Sequence, residues 1–540
     1  MIEKLLENWL DSASERSYQA VFVQMLAAEG YTVLHSTRHC LLEFGKDILA
    51  VSPDGVGCAF QLKGDPRGRM TIGHFRSEIQ GQLLQLTSQT PSYPGFPTGV
   101  HRSYLVSNGQ FDEEVQIAVA QMNSGYIPSK IELWPRGKLL ELCNRHGASL
   151  WPSELRDNRA LLELYLAPPH AQLPAATLTD VLESVLHLGE ADTPLSRNEL
   201  ERATTSAAWL TGISTSVFAE ADNHQAVIHA WCYCCAALIS AETRYSSVEV
   251  KTLRATLALA EASLLDALTA LWNEVRQKDK LVQGDPLTDS LVYGWRISNL
   301  YGMLTSLAIA NEGSELLNAE SSEALVSWLK SSRYQPLLWG EAAVANLAPW
   351  LVWLRKADAT ARVDREIEGI AQMIIHGNQA ESLLALANPY YEYEDVLRHY
   401  LRHPQVRRAN NLERETIAGS SFTAELLLHL VVRTNVKTSC RALWPDFSKL
   451  VHRRFVMEHP WHFGLRRAPG GVEESRVYPL TYSWQQLKTD ALTGDGTFTI
   501  PDYFASKPWF LAMWWQVAPN RLDRDSLRTF VDALIPGWGT

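Results

Sequence analysis

The chain has 540 residues and a formal net charge of −11. With 46% hydrophobic and 20% charged residues and no low-complexity tract, its composition is that of a globular protein of roughly two to four domains. Its seven cysteines lack paired spacing and its first ten residues contain Glu3, Lys4 and Glu7, which argues against a disulfide framework and a signal peptide. The apolar run 226–240 is too short to span a bilayer. We therefore expect a cytoplasmic protein with no membrane partner.

The beginning of the chain predicts a helix followed by strands. Apolar residues recur with helical spacing between residues 17 and 28, at Tyr18, Val21, Phe22, Met25 and Leu26. Gly30 ends this helix, and residues 31–35 form a strand. Two more strands, Ile48–Val51 and 56–62, flank the turn Pro53-Asp54-Gly55 and form an antiparallel hairpin.

The next residues alternate between helix and strand. Helices are predicted at 74–87, 112–122 and 138–144, and strands at 104–107 and 130–134. Residues 1–150 therefore form an α/β domain of ordinary size. Residues 151–175 end in a proline-rich stretch and are predicted to be a linker. From residue 176 to residue 540 the apolar pattern is helical, which predicts a large all-α array of helices with a further boundary near residue 400.

Three polar side chains of the predicted hairpin fall on one face of the sheet. Side chains alternate along a strand, so Gln61 and Lys63 point the same way, and the turn places Asp47 opposite residues 61–63. The three groups then lie within about 5–8 Å of one another. A carboxylate, an amide oxygen and an ammonium at this spacing suit Mg²⁺-dependent cleavage of a phosphodiester. The alternative is a structural ion pair between Asp47 and Lys63.

With these elements in place, residues 1–150 resemble the Mrr-like branch of the PD-(D/E)XK restriction-endonuclease superfamily. The family pattern is a first helix, a glycine-tyrosine strand, a G-x-D that opens a hairpin and a Q-x-K or E-x-K that closes it. The matching segments here are the helix 18–26, Gly30-Tyr31, Gly45-Lys46-Asp47, Gln61-Leu62-Lys63, the strand and turn 104–109, the strand 131–133 and the helix 139–142. The resemblance implies a restriction-endonuclease-like fold and a site that binds Mg²⁺ or Mn²⁺.

The resemblance also implies a role for each residue of the hairpin. Asp47 would be the main metal ligand, and Gln61 takes the position that is more often held by glutamate. Lys63 would be the catalytic lysine, and the carbonyl of Leu62 would be a further ligand.

One position departs from the family pattern. The family often carries a glutamate on the first helix, where this chain has Gln19. Either of two acids would take the place of that glutamate. Glu15 lies on the same helical face as Gln19, and Glu43 would reach the site if the chain turns at Gly45. With few certain carboxylates, a degenerate site that does not cleave is the alternative.

Two groups of basic residues are candidates for contact with nucleic acid. The first follows Lys63 and comprises Arg67, Arg69, His74 and Arg76. The second belongs to residues 401–467, which hold 12 basic and 5 acidic side chains and include Arg453 and Arg454. The positive charges of either group would attract the phosphate backbone of a nucleic acid. The alternative for both is an ordinary solvated surface, with the second group docked on the acidic residues 151–400.

The sequence supports two functions from different classes. The first is a metal-dependent endonuclease in restriction or anti-phage defence, with DNA favoured over RNA as substrate. Its helical region would control it through a protein partner or self-association. The second is a protein whose nuclease fold has lost catalysis and that binds nucleic acid or serves as a scaffold in a multiprotein complex. Gln19 and Gln61, where carboxylates are common, motivate this second hypothesis.

Overall fold

The structure is a computed structural model that describes most of the chain. The described residues are 2–36, 46–65, 68–125, 127–150, 155–189, 192–246, 251–278, 281, 290–314, 316–331, 338–361, 363–378, 419–434, 437–467, 474–494 and 500–539. The chain divides into two compact units, Met1–Ala267 and Leu268–Thr540.

A mixed sheet organises the first unit. Among its described residues, the sheet has five strands, in the following order across it. They are Thr32–Ser36 (β1), Ile48–Val51 (β2), Gly57–Lys63 (β3), Arg102–Ser107 (β5) and Ile131–Trp134 (β7), and a separate short pair is formed by Arg69–Met70 (β4) and Gln110–Phe111 (β6). The first three strands of the sheet are antiparallel neighbours, whereas β3, β5 and β7 run parallel. Parallel neighbours need crossover connections, and helices supply them here.

Helices occupy the rest of the first unit. Their bounds are Ile2–Ser12 (α1), Glu15–Ala28 (α2), Ile72–His74 (α3), Gln80–Ser88 (α4), Glu113–Ser124 (α5), Arg136–Leu150 (α6), Leu155–Tyr165 (α7), Ala175–Val185 (α8), Arg197–Glu220 (α9), His224–Arg244 (α10) and Lys251–Gln277 (α11). A π-helical turn at Phe75–Ile79 joins α3 to α4. The predicted order of helices and strands in residues 1–150 is confirmed.

Both faces of the sheet are buried. Ile48 and Phe60 belong to the core that contains α2, whereas their neighbours Leu49 and Ala59 belong to the core that contains α4 and α5. Burial on two faces requires strands that are apolar throughout, and this explains the continuous apolar run of β2. The polar residues at the ends of β2 and β3 therefore stand out from their surroundings.

The turn and the first helix follow the sequence prediction closely. Gly55 has a φ of +81° and its N–H donates to the Ser52 carbonyl at 2.8 Å, which closes the hairpin turn. Gly30 has a φ of +85° just after α2. The predicted core face of α2 is buried at all its positions, namely Tyr18, Val21, Phe22, Met25 and Leu26.

Helix α9 packs directly on α2. Trp209 and Ile213 of α9 share the core of α2, and Gly212 permits a close approach, because a Cβ there would stand 2.7 Å from Val21 Cγ2. The linker predicted at 151–175 contains α7, and the division between the two units falls instead within α11. The physical reason is that the apolar surface of α2 is covered both by the sheet and by α9, so the α/β part and the first long helices form one core.

The second unit is mostly helical. Its helices beyond α11 are Ser290–Glu312 (α12), Ala319–Lys330 (α13), Val344–Ala357 (α14), Val363–Gly377 (α15), Ala424–Arg433 (α16), Lys437–Phe447 (α17), Trp484–Thr493 (α18), Asp502–Ser506 (α19), Pro508–Val517 (α20) and Arg524–Leu534 (α21). In the described part of this unit, a small sheet in the order β10, β9, β8 joins Ser420–Ser421 (β8), Val451–Phe455 (β9) and Glu474–Val477 (β10).

The coarse fold prediction is confirmed, since a mixed α/β region precedes a large helical region. The all-α expectation for residues 176–540 is wrong at β8, β9 and β10. All three strands are short; β8 consists of two serines, and β9 and β10 contain several charged residues, so none of them shows the alternating apolar pattern by which a strand is predicted. The boundary predicted near residue 400 lies outside the described residues.

Two described helices have the length and composition of membrane spans. These are α10 and α11, and 83% of the apolar stretch of α10 is buried within the protein, against 44% for α11. A buried apolar helix is typical of a protein core, so these helices are weak support for a membrane span. The expectation of no membrane partner stays a prediction.

The close packing of α9 on α2 makes a testable prediction. We expect Gly212→Ala to lower the thermal unfolding midpoint of the full chain, because overpacking a core costs about 1–3 kcal/mol. Gly81→Ala in α4 is the matched control, because its added Cβ meets nothing within 4 Å and the change favours the helix by up to about 1 kcal/mol. Scanning calorimetry of both variants checks this. A midpoint for Gly212→Ala equal to that of Gly81→Ala would contradict the packing.

Candidate active site

Asp47 lies directly before β2 and extends the pairing of the hairpin by one residue. Its backbone N–H donates to the Phe60 carbonyl at 2.9 Å. Its Oδ2 accepts hydrogen bonds from Gln61 Nε2 at 2.7 Å and from the Leu62 N–H at 2.6 Å. Since Ile48 is paired with Phe60, Asp47 lies opposite Gln61. The cross-strand pairing predicted from the turn is confirmed.

The amide of Gln61 contains a buried oxygen without a donor. The residue is 3% exposed, and its Oε1 has no hydrogen-bond partner among the described residues. Such an oxygen costs about 1–3 kcal/mol when it stays unpaired. Turning the amide over does not help, because the oxygen would then face the Asp47 carboxylate. Carboxylate and amide oxygens are both ligands for hard divalent cations, so Asp47 and Gln61 are the candidates to hold one here.

Lys63 ends β3 beside the first turn of α2. Its Nζ lies 3.7 Å from Glu15 Oε2, and the two side chains are 18% and 29% exposed, so the pair is accessible from solvent. The next residue, Gly64, touches the same turn, because a Cβ there would stand 2.6 Å from the Glu15 backbone nitrogen. Glu15 is therefore the acid of α2 that contacts Lys63.

The Tyr18 hydroxyl contacts the ends of two neighbouring strands, β3 and β5. Its hydroxyl donates to the Lys63 carbonyl at 3.1 Å and accepts from the Lys63 N–H at 3.2 Å, and the Val106 carbonyl lies 3.4 Å away. Burial raises the pKa of this hydroxyl well above its usual value. Nearby negative charges raise the pKa further, and they belong to Glu15, Asp47 and Asp65. Three acids are therefore near enough to this hydroxyl to act on its pKa.

The remaining predicted metal ligands have separate partners. Gln19 is buried, and its Nε2 donates to Ser36 Oγ at 3.2 Å on the strand next to β2. The Leu62 carbonyl lies 3.5 Å from Gln61 Nε2. Glu43 lies outside the described residues. The structure thus brings together Asp47, Gln61 and Leu62, places Glu15 at Lys63, and places Gln19 at β1.

The basic residues after Lys63 differ in their surroundings. His74 lies between two acids, with Nδ1 3.8 Å from Asp65 Oδ1 and Nε2 3.4 Å from Glu78 Oε2. Arg69 on β4 and Arg76 on the π-helical turn are exposed. Arg67 lies outside the described residues. Of this group, Arg69 and Arg76 keep the exposure that a phosphate contact requires.

The predicted basic surface in the second unit is partly neutralised. Arg454 forms a two-pronged ion pair with the buried Glu425, with Nε and Nη2 2.7 Å and 2.6 Å from its two oxygens. Arg453 stacks on the ring of Phe422, with its guanidinium carbon 4.5 Å from the ring centre. Arg454 is therefore part of a structural ion pair, and the prediction that it faces nucleic acid is not supported. A charged side chain that is already paired and partly buried gains little binding free energy from contact with a phosphate.

Two further residues, Tyr18 and Asp65, lie at the end of β3, and the residue before Asp47 is also unusual. The apolar spacing of α2 predicts Tyr18 only as part of a core face, because the polar contacts of this residue depend on the tertiary fold. Asp65 accepts a hydrogen bond from the Ser107 hydroxyl at 3.4 Å, and its position in a Lys-Gly-Asp sequence was a signal that could have revealed it. Lys46, next to Asp47, is buried, and burial lowers its pKa to about 8.

The described residues contain no group of three or more histidines, cysteines, aspartates or glutamates arranged to hold a metal ion.

Comparison with known proteins assigns no family and no function to the chain. No protein-family model, curated protein or solved structure matches the chain. The chemistry of the site therefore rests on its own geometry.

The contacts of Tyr18 predict a local loss of protection on mutation. In Tyr18→Phe the Lys63 N–H loses its acceptor, so native-state hydrogen exchange of that amide should be faster by about 5- to 30-fold, the equivalent of about 1–2 kcal/mol. Tyr93→Phe, at an exposed tyrosine, is the control and should leave the Lys63 amide unchanged. Equal exchange rates in the two variants would refute the assigned hydrogen bond.

Proposed function

We propose that this chain is a metal-dependent endonuclease with a PD-(D/E)XK-type site in its α/β part. The observation that carries the proposal is the end of the hairpin, where the Asp47 carboxylate is held by Gln61 and the buried Gln61 oxygen has no donor among the described residues. The accessible pair of Lys63 and Glu15 lies at the end of the same strand. The order of elements from α2 to α6 agrees with that of the resemblance.

Each residue would have a defined part in phosphodiester hydrolysis. A bound Mg²⁺ or Mn²⁺ would polarise a phosphoryl oxygen and lower the pKa of a bound water. Asp47 and Gln61 would hold this cation, with the Leu62 carbonyl beside them. The Lys63 ammonium would hold the attacking water or offset the charge that develops on the phosphate. Glu15 would fix the position of that ammonium.

The substrate and the biological role follow from the same proposal. DNA is the proposed substrate ahead of RNA, and the exposed Arg69 and Arg76 would contact its backbone. We place the enzyme in restriction or anti-phage defence. The large helical region would control it through a protein partner or through self-association.

A second function, a nucleic-acid-binding or scaffold protein without catalysis, is favoured by a specific observation. Gln61 and Gln19 are both amides, and the structure pairs Gln19 with Ser36. A neutral amide binds Mg²⁺ less strongly than a carboxylate does. In this function the hairpin keeps its shape through the hydrogen bonds of Asp47 and has no need of a cation.

Cleavage assays distinguish the two functions. We expect the wild-type chain to nick plasmid DNA with Mg²⁺ or Mn²⁺, and Asp47→Asn and Lys63→Ala to lower the rate about a hundredfold or more. The matched controls are Asp54→Asn at the hairpin turn and Lys138→Ala in α6, whose side chains form exposed ion pairs. Both controls should cut at the wild-type rate. The same background rate for all five proteins would favour the scaffold.

The amide at position 61 gives a test of cation binding that does not depend on cleavage. Gln61→Glu puts a second carboxylate against Asp47 Oδ2, so without metal the variant should unfold at a lower temperature, by about 2–4 °C for each kcal/mol of repulsion. Mn²⁺ should then raise its midpoint more than that of the wild type. Gln85→Glu, at an exposed position of α4, is the control. A midpoint of Gln61→Glu that is insensitive to Mn²⁺ would argue against a cation at this pair.

A further inference from the structure

The N-cap of α2 is Ser14, whose hydroxyl oxygen accepts from the Ser17 N–H, and a second acceptor at this helix end comes from a distant part of the chain. Glu220 is the last residue of α9, and its Oε1 accepts a hydrogen bond from the Ser14 backbone N–H at 2.8 Å. The same oxygen accepts a hydrogen bond from the Ser17 hydroxyl. The first N–H groups of a helix have no partner within the helix, so an acid at this end stabilises the first turn both by hydrogen bonding and through the helix dipole.

The turn that Glu220 holds is the turn that reaches Lys63. Glu15 lies between Ser14 and Ser17, and its carboxylate is the partner of the Lys63 amine at 3.7 Å. Its backbone nitrogen lies so close to Gly64 that a side chain there would collide with it. A short chain of contacts therefore runs from the end of α9, through the first turn of α2, to the end of β3.

The position of Glu220 is itself fixed by packing. Helix α9 shares a core with α2 through Trp209 and Ile213. Immediately after α9, Asn223 donates from Nδ2 to the carbonyls of Pro169 and Ala171, at 3.1 Å and 2.8 Å, and thereby anchors the corner between α9 and α10. Glu220 thus reaches α2 from the end of a helix whose inner face is packed, while Glu220 itself is exposed to solvent.

We propose that Glu220 is a positioning residue for the candidate active site, through which the helices of the first unit set the place of Glu15 and hence of the Lys63 amine. The inference rests on the proposed function and extends it to a residue far from the hairpin in sequence. Glu220 touches neither Asp47 nor Gln61 in the described contacts, so its effect passes through α2. Through these contacts, a change in the position of α9 would be passed to α2 and from there to Lys63.

Removing this carboxylate has a specific expected effect. Without Glu220 the first turn of α2 loses an acceptor for Ser14 and Ser17, and Glu15 moves away from Lys63. A misplacement of about 1 Å at a catalytic group lowers a rate by up to about a hundredfold. We therefore expect Glu220→Ala to lower kcat for nicking by about ten- to a hundredfold while the affinity for DNA stays unchanged.

The test combines exchange and cleavage on the full chain. Hydrogen–deuterium exchange of a peptide covering residues 13–19 should be faster in Glu220→Ala than in the wild type. Glu220→Gln keeps an oxygen acceptor and should recover most of the protection and most of the rate. Glu201→Ala is the matched control, since Glu201 lies on the same helix and its ion pair with Arg197 is largely exposed. It should match the wild type in both measurements.

The possible results separate this inference from the proposed function. If the wild type does not cleave with Mg²⁺ or Mn²⁺, the proposed function fails, and the role of Glu220 in cleavage fails with it, whatever the exchange data show. If the wild type cleaves, unchanged exchange in Glu220→Ala overturns the inference alone. Faster exchange with an unchanged kcat also overturns it, because α2 would then be ordered by Glu220 without effect on the site.

Discussion

The contact between the first turn of α2 and the end of β3 is the constraint on which the candidate site depends. Gly64 leaves just enough room for the backbone of Glu15, and Tyr18 binds both backbone groups of Lys63 one turn further along. The end of a strand usually leaves backbone groups without partners. Here a helix supplies those partners and brings an acid to the strand end, so the site consists of a hairpin and a helix together.

The distribution of charge around this contact explains why two functions suit the same geometry. Asp47 is held by uncharged donors, Glu15 by the Lys63 ammonium, and the acids near Tyr18 raise its pKa beyond the effect of burial. A partly buried group of acids favours a cation. The amide at Gln61 removes one negative charge and hydrogen-bonds Asp47, which keeps the hairpin closed even when no cation is bound. The two proposed functions therefore require almost the same structure of the hairpin.

The helical region has a closer relation to the site than a tethered sensor would have. Helix α9 completes the core of the α/β part, and its last residue caps the helix that carries Glu15. In the second unit, by contrast, Arg454 is used in an ion pair with a buried glutamate. A buried ion pair of this kind is weak support for added stability but fixes the relative position of its partners. The clearest structural connection to the site therefore lies in the first unit.

The sequence by itself determined the local structure of the first 150 residues. Apolar spacing indicated the buried face of α2, and Pro53-Asp54-Gly55 indicated a turn whose position sets Asp47 opposite Gln61, because each of these features depends on one short stretch of chain. The structure alone decided that Glu15 meets Lys63, that α9 belongs to the core of α2, and that Glu220 caps that helix. These contacts join residues far apart in the chain, and their formation depends on packing between elements, which no local pattern of residues encodes.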